Sequence, residues 1–129
     1  MIAADTNVWA RAYLNDDVQQ ARKARAAIEA ACSDNGVFVP LIVLAELFWV
    51  LRIKWKRERV LDAIQHLLET DGVVVEASAL AASALEAARD GSTGFADILI
   101  ARVSSAGGAS EIITFDKAFG KTPGVRRLS

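Results

Sequence analysis

The chain predicts an α/β fold with a mainly parallel sheet, on three observations. Short apolar runs alternate with longer stretches whose apolar residues recur at helical spacing. Each run gives way to the next helix through a polar or glycine-containing corner. No hairpin signal joins one run directly to the next, so successive strands need helical crossovers and lie parallel. At 129 residues this is a single domain, residues 1–129, long enough to bury roughly two-thirds of its unfolded surface in one core.

The first strand is the run Met1-Ile2-Ala3-Ala4, ending at Asp5-Thr6-Asn7 where a helix marked by Val8, Trp9, Ala12 and Tyr13 takes over. Asn15-Asp16-Asp17 turns the chain into a second helix carrying Val18, Ala21, Ala24, Ile28 and Cys32 on one side. Ser33-Asp34-Asn35-Gly36 closes it with residues that tolerate a left-handed backbone. Val37-Phe38-Val39 is the second strand, and Pro40 opens the next helix, where its missing N–H does no harm. Residues 41–53 form the most apolar segment, with Glu46 as its only acid, which predicts a helix buried on most faces. A further helix places Val60, Leu61, Ile64, Leu67 and Leu68 together, with His66 opposite them near Asp62 and Glu69 as a solvated residue. Gly72-Val73-Val74-Val75 is the third strand and residues 77–90 an Ala-rich helix. After the loop Gly91-Ser92-Thr93-Gly94, Phe95 to Ala101 open a helix that Gly107-Gly108 stops. Ile112-Ile113-Thr114 is the fourth strand, and residues 125–128 are a candidate fifth at the edge.

Composition narrows the function classes. No apolar run reaches bilayer length, because Arg52 and Lys54 interrupt the longest one, and no basic-then-apolar leader precedes the first strand. The single cysteine, Cys32, has no partner for an intramolecular disulfide, so a cytoplasmic setting is expected. The lone histidine on a wet face argues against a histidine-driven hydrolase. A net charge of −1 averages over local clusters of both signs and decides nothing about partners.

Four carboxylates stand out by context. Asp5 follows the first strand, where open α/β sheets bind ligands. Glu46 has Ile42, Val43, Trp49 and Val50 three and four positions away, so it belongs to no polar stripe; it needs a cation, strong donors or a wet cleft. Asp97 lies in the first turn of its helix, and Asp116 two residues beyond the fourth strand. Three of them have a plainer use as helix caps: Asp5 or Thr6 for the first helix, Asp97 with Gly94, Asp116 for the turn after it. Two carboxylates about 5 Å apart at an effective dielectric near 20 repel by roughly 3 kcal/mol, so a cluster needs a divalent cation or protonation. An all-oxygen set points to Mg²⁺, with Mn²⁺ as substitute, and away from zinc. The matching chemistry is phosphodiester hydrolysis by metal-activated water.

Asp5-Thr6-Asn7, Leu44-Ala45-Glu46-Leu47, Phe95-Ala96-Asp97-Ile98-Leu99-Ile100-Ala101 and Thr114-Phe115-Asp116-Lys117-Ala118-Phe119 resemble, in order and spacing, the PIN-domain family. Within it the chain looks most like the VapC toxin ribonucleases of type II toxin–antitoxin systems. Each motif alone is weak; four in order across nearly the whole chain are not. The resemblance implies a three-layer α/β/α sandwich around a mainly parallel sheet of four to five strands. It further implies Mg²⁺-dependent cleavage of single-stranded RNA, a homodimer, and a cognate antitoxin protein that occupies the acidic groove. Carried over, Asp5 and Asp97 are metal ligands, Glu46 binds metal or orients the attacking water, and Asp116 completes the pocket. Thr6, Asn7 and Thr114 match the polar positions that support it.

Arg52, Lys54, Lys56, Arg57 and Arg59 surround Trp55 and suit three uses: RNA contact, partner contact or a solvated helix junction. Arg102, Lys117, Lys121, Arg126 and Arg127 compete for the role of basic rim. Two other metal-binding α/β classes fit less well. An aspartate-nucleophile phosphohydrolase wants a second acid where Asn7 stands, and a phospho-receiver domain wants an Asp where the third strand ends at Glu76-Ala77. A catalytically silent module that binds RNA or a partner remains the non-enzymatic alternative.

Overall fold

A computed structural model describes all 129 residues. Five strands alternate with six helices: β1 (Ile2–Ala3), α1 (Thr6–Leu14), α2 (Val18–Ser33), β2 (Val37–Val39), α3 (Leu41–Arg52), α4 (Arg57–Glu69), β3 (Val73–Val75), α5 (Ser78–Asp90), α6 (Phe95–Ala106), β4 (Ile112–Thr114) and β5 (Val125–Arg127). A 3-10 turn, Phe119–Lys121, lies between β4 and β5. Every strand pairing is parallel, as the absence of hairpin signals requires. The expected four- to five-stranded sheet is present as two parts. One has the order β1-β2-β3 and the other joins β4 to β5.

Register in the larger part is set where β2 and β3 begin. Gly36 (φ +94) and Gly72 (φ +89) both adopt backbone that L side chains rarely reach. The Ile2 N–H donates to the Gly36 carbonyl and the Val37 N–H to the Gly72 carbonyl, which aligns Val37 with Ile2 on one side and Val73 on the other. A Cβ on Gly72 would sit 2.6 Å from the Cys32 carbonyl oxygen and 2.7 Å from its Cα. Gly72→Ala is therefore expected to lose about 2 kcal/mol or more of stability, combining the left-handed strain with displacement of the end of α2. Urea unfolding checks this; a change within about 0.5 kcal/mol would place the residue among neutral surface sites.

The core is built mainly from helices. Leu44, Leu47, Phe48 and Leu51 of α3 pack with Val60, Leu61, Ile64 and Leu67 of α4, Phe95 and Leu99 of α6, and Val37 and Val39 of β2. Small residues on α5 (Ala81, Ala84 and Ala88) let that helix approach closely. Cys32 packs against this core, and burial pushes its thiol up, away from the reactive thiolate form. No helix is long and apolar enough to cross a membrane.

One expectation needs correction. The apolar pattern of α3 suggests burial on most faces, yet Ile42 (70 %), Trp49 (54 %) and Ile53 (81 %) are exposed. With Glu46 they form one stripe at steps of three and four residues along the outer face. Apolar character alone does not separate a covered helix face from an uncovered one.

Candidate active site

The polar corner after β1 is used twice. Asp5 keeps extended backbone and its Oδ1 accepts the Val8 N–H at 3.1 Å, so it caps α1 as the plainer reading proposed. Thr6, the first residue of α1, donates its hydroxyl to Glu46 Oε1 at 2.9 Å. This bond between residues 40 positions apart fixes α1 against α3 and sets the direction of the Glu46 carboxylate. Thr6, Asn7 and Glu46 line a cavity of about 440 Å³ with Arg11, Asp16 and Lys54. The isolation of Glu46 in an apolar helix is thereby resolved: it is exposed and holds a hydroxyl donor. Arg11 and Lys54 are both bound to Asp16, at 2.9 and 3.0 Å, and those bonds hold the Asp16 carboxyl below the usual carboxylate range.

The second acidic element borders α3 at Phe48, Trp49 and Arg52. Gly94 is the N-cap of α6 without any side-chain bond, and Asp97 makes no capping contact with it. Half-buried and two residues past Phe95, the Asp97 carboxyl is pushed above the ordinary aspartate range, first by burial and then by the charge of Asp116. Asp116 arrives from the end of β4, where the Thr114 hydroxyl accepts the Asp116 N–H at 3.0 Å and tightens the turn. Its Oδ1 accepts the Phe119 N–H at 2.9 Å, so it also caps the 3-10 turn. Asp97 and Asp116 line a pocket of about 210 Å³ with Trp49, Arg52 and Arg57.

The structure thus joins Thr6 to Glu46, and Asp97 to Asp116, with α3 as the wall common to both pockets. Asp5 lines neither pocket. No three acidic, histidine or cysteine side chains come together as a metal-holding group. The donor chemistry nonetheless suits a hard cation: Mg²⁺ commonly takes one or two carboxylates and completes its shell with water and substrate phosphate. The Asp97–Asp116 pair meets that requirement, and the repulsion within it is what a cation relieves.

Sequence reasoning missed the use made of the basic cluster. Arg57 opens α4 and its Nη2 donates to the carbonyls of Ala88, Gly91 and Thr93, pinning the end of α5 and the loop ahead of Asp97. The Arg59 guanidinium stacks 3.9 Å from the centroid of Trp55, Arg52 donates to the Trp55 carbonyl, and Lys54 is paired with Asp16. Arg102 and Lys121 instead line a larger cavity nearby. Only the charge of such residues shows in sequence; the acceptors of Arg57 and Lys54 lie on other elements.

His66 is exposed as expected, but its Nδ1 is within 3.0 Å of the Tyr13 hydroxyl and the rings meet edge to face. Burial pushes the Tyr13 hydroxyl up to about 12. Folding favours the neutral phenol, so this group's contribution to stability is complete below its ordinary value near 10 and is lost as pH rises from there through about 12. Tyr13 is the only tyrosine, so phenolate absorbance reads it directly. The folded protein should titrate well above the urea-unfolded chain, and coincident curves would contradict the burial.

A family model described as PIN domain matches residues 2–125. Among curated proteins, none matches the chain.

Proposed function

The chain belongs to the PIN-domain family, whose members are typically nucleases that use divalent metal ions, and on that premise we propose that it is a Mg²⁺-dependent endoribonuclease acting on single-stranded RNA. The observation that carries this reading is Asp97: a half-buried carboxylate, free of any capping role and charge-coupled to Asp116. Burial and the Asp116 charge both disfavour its ionised form, and a perturbed acid in a pocket suits metal-assisted chemistry. When bound, a divalent cation supplies charge neutralisation at the phosphate and a more acidic water.

In this proposal Asp97 and Asp116 hold the cation, and Asp5 and Glu46 complete the site around the substrate. Thr6, by donating to Glu46 Oε1, leaves Oε2 free to orient the attacking water or take its proton. Asn7 and Thr114 support the two halves. The finer reading, a VapC-like toxin working as a cytoplasmic homodimer under a cognate antitoxin, is supported by the four motifs and by the exposed apolar stripe of α3.

A second reading has an observation in its favour. Because no three acids converge, a catalytically silent module that binds RNA or a partner would look the same. Purified, partner-free protein incubated with mixed RNA in Mg²⁺, in Mn²⁺ and in EDTA separates the two. Metal-dependent cutting that disappears in Asp97→Asn and Asp5→Asn, with folding intact, supports the nuclease. RNA retention without cutting in either metal supports the binding module.

A further inference from the structure

The largest cavity of the molecule is a cleft of about 550 Å³ between α6 and the segment leading from β4 to β5, within the range of roughly 300–1,000 Å³ typical of ligand sites. Its only charged lining residues are Arg102 and Lys121, and neither belongs to any ion pair of the chain. No carboxylate lines it, although acids outnumber bases in the sequence. Hydroxyls of Ser92, Ser105, Ser110 and Thr122 add donors around the two cations. No aromatic side chain is present to stack a base. Cations and hydroxyls without aromatics suit a phosphate backbone and carry no base preference.

The cleft is also placed to continue the acidic pocket. Ser92, Thr93 and Ala118 line both, and the Thr93 and Thr122 hydroxyls bond at 3.2 Å across the junction. The neighbouring cation Arg126 is no competitor, since it forks onto Glu111 with bonds of 2.8 to 3.3 Å. A single strand lying over Asp97 and Asp116 would meet repulsion there and compensation one step along.

We propose that the Arg102–Lys121 cleft is a backbone subsite for single-stranded RNA, holding phosphates that flank the one at the acidic pocket. This rests on the nuclease reading for its orientation, though the binding it describes is measurable without cleavage. The test uses Asp97→Asn protein in EDTA and a labelled mixed-sequence oligoribonucleotide, followed across a salt series, with and without Arg102→Gln and Lys121→Gln. Each phosphate contact in a single strand contributes about 0.7 to the slope of log affinity against log salt. The double variant should therefore lose about 1.4 in slope and roughly tenfold or more in affinity at low salt. An unchanged slope overturns the subsite, even where wild-type protein still cuts RNA. A slope that falls as expected sustains it, even where wild-type protein cuts nothing and the nuclease reading is lost. An acidic peptide of equal charge that competes as well as the RNA also overturns it, by showing a protein-binding surface instead.

Discussion

Asp97→Asn should make the protein more stable and catalytically inert at once. Its carboxyl is raised above the ordinary range by burial and by Asp116, so folding disfavours the ionised form. The contribution of such a group is complete below its unfolded pKa and is lost as pH rises through the raised folded value. Above that folded value the wild-type protein has lost it, whereas asparagine never ionises. The variant should therefore melt above wild type at pH 7 in EDTA, and the advantage should vanish below about pH 4. Mg²⁺ should reverse the order, because a ligand at 100 times its Kd stabilises by about 2.7 kcal/mol and the variant has lost a ligand. Cleavage should fall by about two to three orders of magnitude, which corresponds to several kcal/mol of metal-assisted stabilisation of the transition state. Calorimetry with and without Mg²⁺, beside an RNA cleavage assay, reads both halves. A variant that melts lower than wild type in EDTA at pH 7 would falsify the electrostatic account of this residue.

Much of the scaffold was legible because it is written in local pattern. The strands Val37–Val39, Val73–Val75 and Ile112–Thr114 lie where apolar runs between turn residues put them, and α3 begins directly after Pro40. The candidate site was legible to a lesser depth. Asp97 makes no bond in the capping role its position allowed, while Asp5 and Asp116 do cap. What stayed hidden depends on partners far along the chain. The first N–H of α3 donates to Glu76 Oε1 at 2.8 Å, so a carboxylate from the end of β3 caps a helix whose N-cap, Pro40, offers no side-chain acceptor. The Thr6–Glu46 bond and the separation of β4–β5 from the three-stranded part are of the same kind. Nothing in the spacing of residues along one element announces an acceptor supplied by another.

Arg57→Ala should be the most damaging substitution outside the core. The guanidinium lies at the start of α4, three-quarters covered, where its Nη2 serves the carbonyls of Ala88, Gly91 and Thr93. Ala88 belongs to the last turn of α5, whose unsatisfied carbonyls carry partial negative charge, so a cation there acts on both the hydrogen bonds and the helix dipole. Hydrogen bonds to a charged group are worth about 1.5–3 kcal/mol, and truncation also leaves part-buried carbonyls unpaired. We expect a loss of about 3 kcal/mol, or a melting temperature lower by roughly 10 °C. Arg57→Lys should recover only part of it, since the charge remains but the shorter side chain reaches the three carbonyls less well and loses the Nη1 bond to Glu58. The same loop leads through Gly94 into α6 and sets where Asp97 stands, so both variants should also cut RNA more slowly well below their melting temperatures. A purely structural role for Arg57 predicts full activity at low temperature. That is the outcome that would separate the loop from the chemistry, and cleavage measured about 20 °C below each variant's melting point decides between them.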